Sequence, residues 1–354
     1  MSALLPLLQA RIAAEGPMTV AEYMTWCLLH PLHGYYTTRD PLGAQGDFTT
    51  APEISQMFGE LLGLALAQSW MDQRCPSRII LAELGPGRGT LMADALRAMR
   101  AVPGLIEAAE LHLVEASPTL RAEQAKRLGG FAPRWHDSLA DLPEGPLFLI
   151  ANEFFDALPI RQFLRDGDGW RERVVGWHEG RLSFGLTDIA PQAMLEHRLA
   201  DTRQGDLVET CAPAEAIVQE VGRRVAGHGG VALIVDYGDW GSLGDTLQAV
   251  RAHRKTDPLD APGEADLTAH VDFRALAGAA DPACHAPLTA QGVVLERLGI
   301  TERARALATR LSGAALDSHV SAHRRLTHPG EMGSLFKVLA LHAPDAPTPP
   351  GLDT

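Results

Sequence analysis

Apolar residues follow two different patterns along the 354-residue chain, and the change between them falls near residue 78. Before it they recur every three or four positions, as in the stretch 54–66, which is typical of amphipathic helices. After it, short apolar runs such as 78–84 and 147–152 alternate with helical stretches, which indicates parallel β-α-β units. The pattern therefore predicts an α/β protein built on a doubly wound sheet.

Capping patterns and composition shifts divide the chain further. Thr19 with Glu22, and Thr50 with Glu53, form two capping-box patterns that predict helix starts. We expect a helical N-terminal cap with a long loop, a sheet domain, and a flexible proline-rich tail: residues 1–75, 76–342 and 343–354. The sheet domain is expected to carry two insertions, at about residues 160–210 and 238–270. Alternating polarity and turn signals predict that the first insertion begins with a β-meander.

The composition is that of a globular protein with an acidic surface. Hydrophobic residues make up 46% of the chain and the formal net charge is −13, so we expect no general affinity for nucleic acid. No stretch of 18 uninterrupted apolar residues occurs, and we therefore expect no membrane insertion. The four cysteines form no Cys-x-x-Cys pair, which argues against structural zinc and a disulfide framework and leads us to expect a reducing, cytoplasmic compartment.

A glycine-rich loop lies between the first predicted strand and the next predicted helix. Gly85, Gly87 and Gly89 permit a tight turn and a close approach of the backbone to a ligand. The loop lacks the Gly-Lys-Ser/Thr ending that binds nucleoside triphosphates. The acidic Glu83 before the glycines disfavours a pyrophosphate, and hence NAD. It could instead orient the loop or lie near the cationic part of S-adenosylmethionine, so we favour that cofactor and keep NAD as the alternative.

The next three predicted strands also end in polar residues. Glu115 could accept both hydroxyls of a ribose, Asp137 with Ser138 could bind an adenine amino group, and Asn152 ends the fourth strand. Ligands of open α/β sheets bind at these carboxyl ends of the strands. Acidic residues at such places are also common helix N-caps, and this alternative stays open for each of them.

Several long motifs of mixed composition are spread over most of the chain. They lie at residues 30–36, 46–60, 83–89, 152–159, 236–238, 257–273 and 333–339. Together they resemble the MidA family of class I methyltransferases, which includes the mitochondrial complex I assembly methyltransferase. The resemblance implies a seven-stranded sheet with an antiparallel last strand and S-adenosylmethionine as cofactor. It also implies methylation of an arginine in a protein partner, such as a subunit of a respiratory NADH dehydrogenase.

The turn after the fourth strand carries the candidate catalytic residues. A guanidinium is a poor nucleophile because its lone pairs are delocalised, and carboxylates can grip it bidentately. Glu153 and Asp156 would face the same side of a helical turn, and we expect them to hold the acceptor nitrogen while Asn152 links cofactor and acceptor. The alternative is that Glu153 only interacts favourably with a helix dipole.

Other residues are weaker candidates. Four are predicted to line an acceptor channel: Tyr35, Thr49, Asp236 and Tyr237. Tyr35 could equally be a packing residue. Asp266, His270 and Asp272 resemble a metal cluster, but their position before a predicted helix favours N-capping, and we expect no metal. A methyltransferase with a small-molecule or other side-chain acceptor, and a non-catalytic assembly chaperone, remain alternatives.

Overall fold

The computed structural model describes residues 2–38 and 50–352, with Thr38 described by its backbone alone. These residues form two units, each with its own hydrophobic core. The first unit draws on residues 1–48, 156–214 and 241–272, and the second on residues 49–155, 215–240 and 273–354. Both predicted insertions therefore belong largely to the first unit, together with the N-terminal helices.

A mixed sheet organises the second unit. Its strands are β1 (Ile79–Leu84), β2 (Ala109–Val114), β3 (Arg134–His136), β4 (Leu147–Asn152), β5 (Gly230–Asp239), β6 (Cys284–His285), β7 (Thr289–Ala290) and β8 (Phe336–His342). The order is β3-β2-β1-β4-β5-β8, with β6 and β7 both paired to β8. The first five strands are parallel and β8 runs antiparallel to β5. The expected antiparallel last strand is confirmed, and two short strands pair with its outer edge.

Helices cover this sheet, which explains why β1 and β4 are buried along their whole length. The α-helices of the unit are Ala51–Ile54, Gln56–Asp72, Thr90–Met99, Leu105–Ala108, Pro118–Leu128, most of Ala212–His228, Phe273–Ala279, Gln291–Arg297, Ile300–Ala308, Gly313–Thr327 and Met332–Leu335. Short 3-10 helices cover Gly129–Phe131 and Leu139–Asp141.

The helix Gln56–Asp72 belongs to the sheet unit, so the predicted boundary at residue 75 is wrong. It packs closely on the helix Thr90–Met99, because a Cβ on Gly63 would lie 2.7 Å from the Cα atom of Ala95. Its N-cap is Ser55, whose side chain accepts from the backbone N–H of Met57. The predicted capping role of Thr50 is also wrong, since its side chain makes no capping hydrogen bond.

The first unit contains the predicted meander. Its strands are Met18–Thr19, Arg161–Asp166, Gly169–His178, Arg181–Leu186, Leu207–Thr210, Gln248–Arg251, Arg254–Thr256, Asp266–Thr268 and Val271–Asp272. Three consecutive strands between Arg161 and Leu186 pair antiparallel, as expected. The helices are Leu5–Glu15, Val20–Leu29, Tyr35–Thr38 and the 3-10 helix Ala193–Leu199. The capping box of Thr19 and Glu22 is present.

The end of the chain is packed rather than frayed as far as the structure describes it. Leu352 is 1% exposed and belongs to the core of the second unit. Arg297 donates to the carbonyl of Gly351 at 3.2 Å. The predicted flexible tail is therefore wrong up to residue 352. Within residues 2–38 and 50–352, no helix combines the length and apolar character that a bilayer span requires.

Candidate functional site

The glycine loop crosses the carboxyl end of β1 in a conformation that side chains disfavour. Gly85, Gly87 and Gly89 have φ of 59°, 53° and 74°, all in the left-handed region. A Cβ on Gly85 would also lie 2.8 Å from a ring carbon of Phe154, in the turn after β4. The loop and that turn are therefore close neighbours, which places both predicted ligand elements at one end of the sheet.

The carboxylate of Glu53 lies at the start of the helix after the loop, where a pyrophosphate would be expected to bind. The Thr90 hydroxyl, at the first position of that helix, donates to Glu53 Oε1 at 2.6 Å. Arg127 donates to the same hydroxyl. A diphosphate bound at this helix terminus would face the negative charge of Glu53. The carboxylate of Glu53 therefore disfavours a phosphate here, while the guanidinium of Arg127 offsets part of its charge.

Two buried carboxylates lie at the carboxyl ends of β1 and β2. Glu83 is 3% exposed, and its Oε2 atom has no hydrogen-bond partner among the described residues. Burial, reinforced by the charge of Glu115, raises the pKa of Glu83 to about 8. Burial also raises the pKa of Glu115 above its usual range. Buried acids lacking a counter-charge are costly, so a cationic ligand such as S-adenosylmethionine fits these residues.

The carboxylate of Glu115 accepts hydrogen bonds on both of its oxygens. Its Oε1 accepts from the backbone N–H of Ser117 at 2.8 Å, and its Oε2 accepts from the Gln124 amide at 3.2 Å. A carboxylate offers about four acceptor positions, and the backbone of Ala116 also acts on this one, so part of its capacity remains for ribose hydroxyls. Glu115 supports the start of the helix Pro118–Leu128, while the N-cap itself is Ser117. The ribose role stays a prediction.

The residues that follow the third strand fit helix capping better than adenine binding. Ser138 forms a capping box with Asp141 at the start of a 3-10 helix. The exposed Asp137 accepts a hydrogen bond from Arg121. Neither residue therefore has a contact that indicates adenine binding, and that role stays a prediction for both.

The turn after β4 begins with a buried amide and a conformationally strained glutamate. Asn152 is 8% exposed, its Nδ2 donates to Glu153 Oε1 at 3.1 Å, and its Oδ1 has no hydrogen-bond partner within the described part of the chain. Glu153 has φ of 51°, an uncommon conformation for a residue other than glycine. Its backbone N–H donates to Val235 O at 2.9 Å, and its Oε1 also accepts from the N–H of Ala51 at 3.1 Å.

The predicted helical turn at this site is wrong. Residues 153–160 contain only bends and turns, because the left-handed Glu153 cannot begin a right-handed helix. Asp156 is buried and belongs to the first unit, whereas Glu153 belongs to the second. The joint grip of Glu153 and Asp156 on an acceptor therefore stays a prediction from sequence.

Asp236 forms hydrogen bonds with the backbone, whereas the sequence predicted that it lines the acceptor channel. Its side chain is 0% exposed, and its carboxylate accepts from two backbone N–H groups. These belong to Phe155, at 3.1 Å, and Tyr237, at 2.9 Å. Asp236 thus holds the turn after β4 in place. The ring of Tyr237, also predicted for the channel, packs edge-on against Phe336.

The remaining channel candidate is in the core of the first unit. Tyr35 is fully buried and lies edge-on to Tyr36, which fits the packing alternative, and its channel role stays a prediction. The hydroxyl of the neighbouring Tyr36 donates to Asp266 at 2.7 Å. Burial raises the pKa of Tyr36 well above its usual value. Thr49 lies outside the described residues.

Sequence comparison connects this geometry to known proteins. Residues 61–293 match the family model described as "Putative S-adenosyl-L-methionine-dependent methyltransferase". The chain is 38% identical to the mitochondrial protein arginine methyltransferase NDUFAF7 of Xenopus tropicalis, over 96% of this chain and 86% of that protein. It is 37% identical to the human protein of the same name, over 94% of this chain and 82% of that one.

Structural comparison gives the same relationship. A COG1565 superfamily member from Burkholderia thailandensis, crystallised with S-adenosyl-homocysteine, matches with a TM-score of 0.81 at 30% identity. The alignment covers 99% of this chain and 93% of that one. A second structure from the same organism and superfamily matches with a TM-score of 0.78 at 32% identity, over 99% and 92% of the two chains.

The comparisons contradict one expectation. The curated relatives are mitochondrial proteins by name, so the expectation of a cytoplasmic protein is wrong. Scattered cysteines indicate a reducing compartment but do not identify it. They gave no reason to choose the cytoplasm.

Proposed function

The chain belongs to a family of S-adenosylmethionine-dependent methyltransferases, and from that premise we propose that it methylates an arginine side chain of a protein. The cofactor supplies a methyl group made electrophilic by a sulfonium. Relatives at 37–38% identity over nearly the whole chain are named protein arginine methyltransferases, and this supports the choice of acceptor. The resemblance to the MidA family suggests, in addition, that the partner is a subunit of a respiratory NADH dehydrogenase.

The turn after β4 is the observation that carries this proposal. A guanidinium offers planar N–H donors and needs negative charge beside it. Glu153 provides a carboxylate, and the buried Asn152 Oδ1 provides an acceptor with no partner in the described structure. Both lie beside the glycine loop, since Phe154 of the same turn contacts Gly85. An acceptor nitrogen held here would lie next to the cofactor.

For this reaction the protein must align the acceptor nitrogen with the methyl group and supply a proton acceptor. The nitrogen forms a bond to the methyl carbon as the carbon–sulfur bond breaks, with the electron pair leaving on sulfur. The reactants must be held in line at about 3–3.5 Å. The methylated nitrogen then loses one proton, which the Glu153 carboxylate would accept. Asp236 keeps the turn in position through the N–H of Phe155.

Mass spectrometry of NADH dehydrogenase tests the proposal. We expect subunits from wild-type cells to carry a methylated arginine that is missing after deletion of the gene. Reintroducing the wild-type chain should restore the mark, and reintroducing Glu153→Gln should not. The same arginine methylation in both strains would contradict the proposed partner. Recovery of enzyme assembly by Glu153→Gln without methylation would instead support a non-catalytic assembly role.

A further inference from the structure

Gln124 lies behind the cofactor site, on the helix Pro118–Leu128, and its side chain is fully buried. Its amide nitrogen donates to the carbonyl of Gly87 at 2.7 Å and to Glu115 Oε2 at 3.2 Å. Its amide oxygen accepts from the indole N–H of Trp135 at 2.8 Å. One side chain therefore contacts the glycine loop, the residue that ends β2, and β3.

These partners permit one orientation of the amide. Gly87 O and the carboxylate of Glu115 only accept, and the Trp135 indole N–H only donates. A flipped amide would place oxygen against two acceptors and NH₂ against a donor. All three hydrogen bonds would be lost in a buried place, where unpaired polar groups are costly. Gln124 is thus rigid as well as buried.

Gln124 in turn fixes the position of the Glu115 carboxylate. Gln124 holds Oε2, and the backbone N–H of Ser117 holds Oε1 at 2.8 Å. Arg121, one helical turn earlier on the same helix, donates to the backbone carbonyl of Glu115 at 2.7 Å. Side chain and backbone of Glu115 are therefore both fixed by this helix.

A ribose presents two hydroxyls at a fixed spacing, so a carboxylate that binds both must be held in a fixed plane. We propose that Gln124 is a positioning residue that orients Glu115 for the two ribose hydroxyls of S-adenosylmethionine. The inference rests on the cofactor of the family and on the ribose role of Glu115, and it does not depend on the acceptor being arginine. It can therefore fail or hold independently of the proposed acceptor.

Binding of S-adenosylhomocysteine and its 2′-deoxy and 3′-deoxy counterparts tests this inference. Gln124→Met keeps the length of the side chain and removes its hydrogen bonds. We expect wild-type protein to lose about tenfold in affinity when either hydroxyl is missing. Gln124→Met should bind the complete ligand about tenfold more weakly and discriminate little against the deoxy ligands. Gln68→Met is the control, because Gln68 is exposed and its amide donates to Asp72 of its own helix.

The pattern across ligands separates positioning from general packing. If Gln124→Met weakens all three ligands by the same factor, or weakens none, the inference is wrong. If that variant does not fold, Trp135→Phe decides, because it removes the donor that fixes the amide and leaves Gln124 itself in place. We expect reduced discrimination against the deoxy ligands in Trp135→Phe, and unchanged discrimination would overturn the proposal.

Discussion

Glu153→Gln is expected to lower the rate of methyl transfer about a hundredfold or more, while the affinity for S-adenosylhomocysteine stays nearly unchanged. The amide keeps the size of the side chain and an oxygen that can accept from Ala51 N–H, as Oε1 does now at 3.1 Å. It removes the negative charge that would face the guanidinium and the base that would take its proton. Single-turnover methylation and calorimetric binding measure the two effects separately.

The chain offers a matched control for this substitution. Glu179 also has a left-handed backbone, with φ of 48°, but it lies exposed in the meander. Glu179→Gln should leave turnover and binding unchanged. Glu153→Gly would relieve the backbone conformation but would leave Ala51 N–H and Asn152 Nδ2 without the Glu153 acceptor, and it should be as inactive as Glu153→Gln. Full activity of Glu153→Gln would refute the proposed role of this residue.

Gly85→Ala is expected to have the second large effect. The new Cβ would lie 2.8 Å from Phe154, so that ring must move. Since Phe154 follows Asn152 and Glu153 directly, its movement displaces the groups that hold the acceptor. A displacement of about 1 Å at a reacting centre can cost about a hundredfold in rate. We expect such a loss of methyl transfer, with weaker S-adenosylhomocysteine binding, in kinetic and calorimetric assays.

A substitution at a second glycine measures the effect of a left-handed backbone angle φ without a steric clash. Gly205 has φ of 86° and nothing within 4 Å of its hypothetical Cβ. Gly205→Ala should therefore lose only about 1 kcal/mol of stability, the usual cost of a left-handed side-chain residue. Its activity should be normal. Equal activity of Gly85→Ala and Gly205→Ala would contradict the importance of the contact between the glycine loop and Phe154.

Much of the sheet could be predicted because each strand is a short apolar run with a polar end. The buried strands β1 and β4 follow that pattern, and their carboxyl ends carry Glu83 and Asn152 as expected. The meander followed from turn residues and alternation in the same way. The N-cap at Thr19 was predicted correctly for the same reason, because it depends only on a local sequence pattern.

Features that depend on distant contacts could not be predicted. The left-handed backbone of Glu153 is supported by Val235, which is far away in sequence, so a helical turn was wrongly expected. Asp236 resembles a site residue because it lies near the carboxyl end of β5, yet its carboxylate accepts from backbone N–H groups. Gln124 gave no sequence signal because its partners come from three separate segments.

The central claim is that a cationic nucleoside cofactor binds beside the buried carboxylate of Glu83. Binding of a cation favours the ionised carboxylate and lowers its pKa from about 8, so it releases a proton at pH values between the lowered pKa and about 8. Affinity then rises with pH in that range, by up to about tenfold per pH unit for one group. In Glu83→Gln this dependence should be much weaker since, of the pair of buried carboxylates, only Glu115, whose pKa burial also raises, remains to titrate there. Glu107→Gln, at an exposed position, should retain it.

The most direct test is calorimetric titration with S-adenosylmethionine, which carries the sulfonium cation, at about pH 5.5 and about pH 7, in wild-type protein and in Glu83→Gln. We predict much tighter binding at the higher pH in wild-type protein, with proton release during binding, a much weaker pH dependence in Glu83→Gln, and no binding of NAD. Equal affinity at both pH values in both proteins, or binding of NAD in place of S-adenosylmethionine, would contradict the account.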